Sequence, residues 1–401
     1  MNKTKIRLKK AQLTMAGIML GVILCTTGCN EAKKAYKEGV SLMEEEKYQE
    51  AAESFLKAIE ENEEKAEYYI AYGMACVKNG QNEDAVNAFS KAVQDKDNKI
   101  VRENNKQALK GRGIAYYEEH EYELALADFS AALEISEEED MNKELLELKA
   151  ATEKQSGDYE AAQDSYKELV ALDKKNKSAY LGKADLEMLM EDYDSAVDDY
   201  SQVIKLDEHS FDAYFGMYNA LMSKGDESGA METVSKAASL EIKDTEDKYN
   251  VAVAYFYKGD YGTAESYLNE VLDEGDANAW YFLGQISQAK PDYDTAISQY
   301  EQYIAANKNL SSAMVYNQLA GCHMEKENYV PALSYILKGL EMKDKASEQS
   351  LTYNAVIVYE KLGEFKKAKK YATEYCKAWP GDEEMEKELA FIETRIGSKN
   401  K

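Results

Sequence analysis

The sequence predicts an all-α fold, an α-solenoid of about ten helix-turn-helix units closed by a C-terminal capping helix. Three observations carry that prediction. Alanine recurs at Ala51, Ala85, Ala125, Ala162, Ala196, Ala230, Ala264, Ala296, Ala332 and Ala368, with spacings of 34, 40, 37, 34, 34, 34, 32, 36 and 36. Twelve residues before it stands a small residue in eight of ten units: Gly39, Gly73, Gly113, Ala150, Ala184, Ala252, Gly284 and Ala320. Around it lie aromatic and apolar residues, three before (Tyr48, Tyr122, Tyr159, Tyr193, Tyr261, Tyr293, Tyr329, Phe365) and four after (Phe55, Phe89, Phe129, Tyr166, Tyr200, Leu268, Tyr300). Offsets of 3, 4 and 7 put these side chains on one helical face, and each unit carries two such blocks.

The chain opens on Lys3, Lys5, Arg7, Lys9 and Lys10, a cationic segment without an acid, followed by an uncharged run over residues 11–27. That is the pattern of a secretory signal, and the run is short for a membrane span. The small residues Thr26-Thr27-Gly28 before Cys29 resemble the box of bacterial lipoproteins, although Thr26 stands where that family usually has leucine. The resemblance implies cleavage before Cys29 and diacylation of its thiol. An ordinary signal peptide and a retained membrane helix are the alternatives. Residues 1–28 are accordingly read as the leader, 29–381 as the solenoid and 382–401 as the capping helix and tail.

Each unit joins its two blocks by a turn such as Asn79-Gly80, Gly157-Asp158, Gly225-Asp226, Gly259-Asp260 or Leu362-Gly363. Glycine there accepts the left-handed geometry that ends a helix. The small pair, for example Gly39 with Ala51, is expected where the two helices come closest. The stretch Trp280-Tyr281-Phe282-Leu283-Gly284, with Tyr293, Ala296 and Tyr300, resembles a tetratricopeptide repeat, as do the first two units. Ten such repeats extend over roughly residues 32–380. The resemblance implies a right-handed superhelix whose concave face is lined by the first helix of every pair. Departures are the single repeat-ending Pro380, Lys149 and Glu153 at positions expected to be apolar, and extra residues before Gly113. Residues 100–110 hold no breaker, so they should lengthen that repeat's first helix. Residues 383–396 read as an amphipathic cap covering the last repeat through Leu389, Ile392 and Ile396.

The formal net charge is −26, and loss of the leader's five cations would make it −31. Such a surface repels nucleic-acid phosphates and anionic headgroups, so no nucleic-acid partner is expected. Acidic runs at residues 60–64, 137–140 and 382–384 read as solvated turns and helix starts, or as elements that select a basic partner. Cys25 leaves with the leader and Cys29 is the anchor, so Cys76, Cys322 and Cys376 remain, an odd number lying within repeat helices. A Cys322–Cys376 bridge between adjacent repeats stays open as an alternative.

Chemistry-bearing motifs are scarce. The three histidines, His120, His209 and His323, form no recognised zinc spacing. No phosphate-binding loop and no nucleophile elbow occurs. Asp95-x-Asp97 resembles the start of a calcium loop without its glycine or terminal glutamate. No cofactor, metal or catalytic residue is expected, and the chain is read as a scaffold and not an enzyme.

Projecting the first helix of each repeat gives inward candidates: Ile70, Met74 and Val77; Lys110, Ile114 and Tyr117; Leu181, Asp185 and Met188; Phe215, Asn219 and Met222; Tyr249, Val253 and Phe256; Tyr281, Gln285 and Gln288. An apolar and aromatic lining with a few amides suits an extended peptide or a partner helix. The alternative is that these residues only complete packing between first helices. Repeats that grip a terminal carboxylate use paired lysine and asparagine there, but Tyr36 and Val40 hold those places in the first repeat. The expected function is a lipid-anchored, extracytoplasmic interaction scaffold for cell-envelope machinery. A saccharide- or nutrient-binding lipoprotein is the second reading, suggested by 31 tyrosines.

Overall fold

Helix pairs stacked in sequence order make up the chain, and the computed structural model describes residues 31–137, 140–307 and 312–398. The leader and Cys29 lie outside the described residues. All twenty-one regular elements among the described residues are α-helices. Two compact units divide after Asp226, inside the sixth repeat.

The first unit holds α1 (Glu31–Glu44), α2 (Tyr48–Glu61), α3 (Ala66–Lys78), α4 (Asn82–Ala92), α5 (Lys99–Glu118), α6 (Tyr122–Leu133), α7 (Met141–Ser156), α8 (Tyr159–Leu172), α9 (Lys177–Leu189), α10 (193–206) and α11 (Phe211–Lys224). Its core is the recurring alanine plus a ring four residues later. Ala51, Ala85, Ala125, Ala162 and Ala196 are fully buried, and Phe55, Phe89, Phe129, Tyr166 and Tyr200 are buried beside them. The glycines explain the ring. A Cβ built on Gly39 would meet the Phe55 ring at 2.6 Å, one on Gly113 the Phe129 ring at 2.6 Å, and one on Gly216 the Tyr200 ring at 2.3 Å. Phe89 is held from both sides, by Gly73 of its own repeat and Gly111 of the next. The small position is therefore a seat for the ring of the second helix, and not merely a point of close helix approach.

The two departures in this unit have physical causes. Lys149 donates to Glu153 Oε1 at 2.5 Å and to Ser165 Oγ at 2.9 Å. The same position pairs Arg112 with Asp128 through two bonds of 2.8 and 2.7 Å, and Lys183 with Asp199 at 2.6 Å and Glu187 at 2.9 Å. Three successive repeats thus carry one polar rung between their helices. Burial pushes the Glu187 carboxyl up to about 7, against the pull of Lys183. The long α5 is the expected extension, and it brings Lys106 into full burial. The Lys106 ammonium donates to the Ile135 carbonyl at 2.9 Å, the Glu137 carbonyl at 2.8 Å and Asn142 Oδ1 at 2.7 Å, fixing the α6–α7 connection.

The second unit holds α12 (Glu227–Ala238), α13 (Thr245–Tyr257), α14 (Tyr261–Asp273), α15 (Ala279–Ala289), α16 (Tyr293–Ala306), α17 (Ala313–Glu325), α18 (Tyr329–Glu341), α19 (Lys345–Lys361), α20 (Phe365–Ala378) and α21 (Glu383–Ser398). Ala264, Ala296, Ala332 and Ala368 are again fully buried, and Tyr300 sits against Gly284. Turns stop one helix and start the next within two residues. At Gly259 (φ +75°) the amide bonds back to Phe256, the Asp260 amide bonds to the Tyr255 carbonyl, and the Asp260 carboxylate accepts from the Thr263 amide at 3.1 Å. The three cysteines described, Cys76, Cys322 and Cys376, are free thiols, so the Cys322–Cys376 bridge is not formed.

The cap forms where expected. Ile392 is fully buried on the last repeat and Leu389 and Ile396 are partly so, joined by a fully buried Met385 that the projection missed. At its edge, burial and then the hydrogen-bonded Glu388 carboxyl push Glu360 up to about 7.

Ala196→Leu should overpack the fifth repeat, and Gly216→Ala should drive a methyl into the Tyr200 ring. Each is expected to cost about 1–3 kcal/mol in denaturant titration. Because Glu360 binds its proton more tightly in the folded protein, its contribution is full below about pH 4.3, the ordinary glutamate value, and is lost as pH rises through about 7. Hydrogen exchange in α21 should therefore quicken between pH 5.5 and 8 beyond the intrinsic rate, and Glu388→Gln should flatten that dependence.

Candidate functional site

The first helix of each repeat carries the candidate positions, and the structure divides them by exposure. In the first unit Ile70 and Phe215 are only 5% and 8% exposed, and Lys110 and Ile114 are buried too. Ile70 belongs to the core around Phe55 and Phe89, and Phe215 stacks on Phe211 at 6.2 Å. Read as lining, these two are corrected to packing residues, because little of either reaches solvent. Lys110 is taken up by Glu144 at 2.9 Å. Met74 and Val77 pack, half-buried, onto the core of the third repeat, and Tyr117 lies in that same core with its ring 5.7 Å from Tyr122. Leu181 and Met188 are half-buried against Ala184 and Ala213. One turn beyond Phe215, Asn219 is exposed and Met222 is 41% exposed.

Two polar candidates serve the ring seats. A buried tyrosine must place its hydroxyl on a partner. Tyr200 donates to Asp185 at 2.7 Å, and Tyr300 donates to Gln288 at 2.9 Å. Both partners were projected onto the open face, and both are needed inside.

In the second unit the candidates converge. Tyr249 and Phe256 on α13 and Tyr281 on α15 are half-buried, and Phe282, also half-buried, links them. Ring centroids lie 5.9 Å apart for Tyr249–Phe282, 5.2 Å for Phe256–Phe282 and 5.2 Å for Tyr281–Phe282. Tyr257 reaches Phe282 at 6.5 Å, and Tyr303 on α16 reaches Tyr281 at 5.7 Å. Val253 is buried behind them, and Gln285 donates to the Tyr281 hydroxyl at 2.9 Å. Burial pushes the Tyr281 phenol up to about 12, and burial then the neighbouring acids and phenols raise Tyr249 further. Tyr257, Phe282 and Tyr303 were not among the projected residues. The triplets Tyr255-Phe256-Tyr257 and Trp280-Tyr281-Phe282 are the signal that could have found Tyr257 and Phe282, and Tyr303 lies in neither.

Among the described residues no group of three or more His, Cys, Asp or Glu side chains is placed to hold a metal ion. No described helix is long and apolar enough to cross a membrane. A shallow, mainly polar depression of about 250 Å³ lies between Glu63, Tyr69 and Lys96 of the first unit.

The tetratricopeptide repeat family model matches residues 36–100, 77–140, 149–213 and 249–311, more than half of the chain. The chain belongs to the tetratricopeptide repeat family. Among solved structures it is similar to a tetratricopeptide repeat protein from Parabacteroides merdae, with 19% identity over 65% of this chain and 98% of that one (TM-score 0.48). It is also similar to YrrB, described as a repeat protein with an unusual peptide-binding site, with 21% identity over 54% of this chain and 97% of that one (TM-score 0.39). The APC/C hetero-tetramer Cut9–Hcn1 matches with 13% identity over 95% of this chain and 99% of that one (TM-score 0.45). No curated protein sequence matches the chain.

The division by exposure has a direct check. Phe215→Ala should lower unfolding free energy by about 3–5 kcal/mol, the usual cost of emptying a buried phenylalanine. Met222→Ala, one helical face away in solvent, should change it by less than about 0.5 kcal/mol.

Proposed function

We propose that this protein is a lipid-anchored, extracytoplasmic scaffold that holds a peptide or partner helix for cell-envelope machinery. The observation that carries the binding part is the half-buried aromatic surface of the second unit, built by Tyr249, Phe256, Tyr281 and Phe282 on two neighbouring first helices. Rings held by one another are already ordered, so a partner that covers them gains contact area at little entropic cost. The anchoring part rests on the leader and on Cys29. The acidic composition suits a well-solvated surface chain.

Two measurements test the two parts separately. Crosslinked capture of envelope proteins by the full chain should be lost on combining Tyr249→Ala with Tyr281→Ala, with helicity retained. Equal capture by the variant would remove the aromatic surface as the binding face. Cys29→Ser should leave an uncleaved precursor or a protein released from membranes. A normally processed, membrane-bound variant would overturn the anchor.

A further inference from the structure

One half-buried carboxylate acts on the aromatic surface of the second unit. Asp276 lies in the connection between α14 and α15, half-buried, placed by a left-handed Gly275 (φ +98°) and by its own amide bonding to the Val271 carbonyl at 3.1 Å. One carboxylate oxygen accepts from the Asn278 amide at 2.9 Å, and among the described residues Asp276 forms no ion pair. Its charge reaches the phenols of Tyr249 and Tyr303, and those phenols reach Tyr281.

The cations nearest in sequence are turned away. Lys248, beside Tyr249, is held by Glu270 at 3.2 Å and by Glu274. Lys258, beside Tyr257, lies over the Tyr255 ring at 5.0 Å. The surface therefore combines a half-buried carboxylate, several phenol oxygens and ring faces of negative quadrupole, while the two lysines nearest in sequence are held elsewhere. A planar guanidinium matches this set best, because it stacks on rings while its N–H fork reaches a carboxylate. Next to it, Phe256, Phe282 and the 46% exposed Met314, whose sulfur lies 3.4 Å from the Tyr281 hydroxyl, offer apolar area to the neighbouring residues of a chain. A net charge of −26 draws a basic segment toward the protein and repels an acidic one.

We infer that the Tyr249–Tyr281–Tyr303 surface with Asp276 is a recognition site for an arginine-bearing peptide segment. The inference rests on the peptide-binding reading above and adds the chemistry of the partner. Aromatic stacking supplies the contact, and Asp276 selects the charge.

The test uses fluorescein-labelled 12-residue peptides, alike except for three positions carrying arginine, glutamine or glutamate, titrated into the full chain and followed by anisotropy. The arginine peptide should bind at least about tenfold tighter than the glutamine peptide, and the glutamate peptide should not bind. Asp276→Asn keeps the bond to the Asn278 amide and should weaken the arginine peptide about fivefold or more. Tyr281→Ala should weaken both arginine and glutamine peptides, and Asp164→Asn, an exposed acid of the first unit, should change neither. Thermal melts of each variant matching the parent chain confirm that binding, and not folding, is read.

If arginine and glutamine peptides bind alike and Tyr281→Ala weakens both, the peptide-binding reading stands and the arginine site is overturned. If Asp276→Asn behaves like Asp164→Asn while the arginine peptide still binds, the attraction is diffuse and the site is likewise overturned. Binding of spermidine at one-to-one stoichiometry, with full displacement of the arginine peptide, would make it a polyamine site instead. If no peptide binds, the reading on which the inference rests fails with it.

Discussion

A ring from the second helix of a repeat, pressed into a place on a first helix where there is no side chain, sets the geometry of the molecule. Phe55 on Gly39, Phe129 on Gly113, Tyr300 on Gly284 and Phe89 between Gly73 and Gly111 are instances of one contact. Close packing leaves no slack in it, since a single methyl on the glycine would fall within 3 Å of the ring. Tyr166 on Gly182 and Tyr200 on Gly216 extend the contact across the boundary between repeats, so the same ring that closes one helix pair docks the next. A repeat with little core of its own thereby becomes stable only beside its neighbours.

Using tyrosine where other repeats use phenylalanine imposes a further demand. The phenol hydroxyl enters the core and must be met by a polar side chain. Asp185 and Gln288, both half-buried, meet it. The polar rungs at Arg112–Asp128, Lys149–Ser165 and Lys183–Asp199 follow similar logic, each joining a residue beside the small position to one beside the ring. A lysine at such a place reads as an irregularity until its partner, sixteen residues on, is seen at hydrogen-bond distance. The cap helix then closes the last repeat with Met385 and Ile392, and its Glu388 meets Glu360 of α19, whose carboxyl is pushed up by burial and by that neighbour.

Rings left over from the seats gather on the second unit. Six rings fill seats, Phe55, Phe89, Phe129, Tyr166, Tyr200 and Tyr300, whereas Tyr249, Phe256, Tyr281 and Phe282 on first helices and Tyr303 on the second helix α16 form a continuous half-buried group. Burial raises the phenols of Tyr249, Tyr281 and Tyr303, and the Asp276 carboxylate adds to this at Tyr249 and Tyr303.

Periodicity determined the helix pairs and the cap, the lack of a breaker the long α5, and the resemblance of Trp280–Gly284 with Tyr293, Ala296 and Tyr300 the family, because such local patterns survive without coordinates. The place of each first-helix residue was different. Projection put Ile70, Phe215 and Met222 on one stripe, yet two are core and one is in solvent, since the neighbouring repeat decides which side of a stripe is covered. Asp276 lay in a connection, outside any helical pattern, and only the packing of α13, α15 and α16 brought the tyrosines and that carboxylate together. Helical spacing is written in one chain segment; a surface made by several segments is written in how they pack.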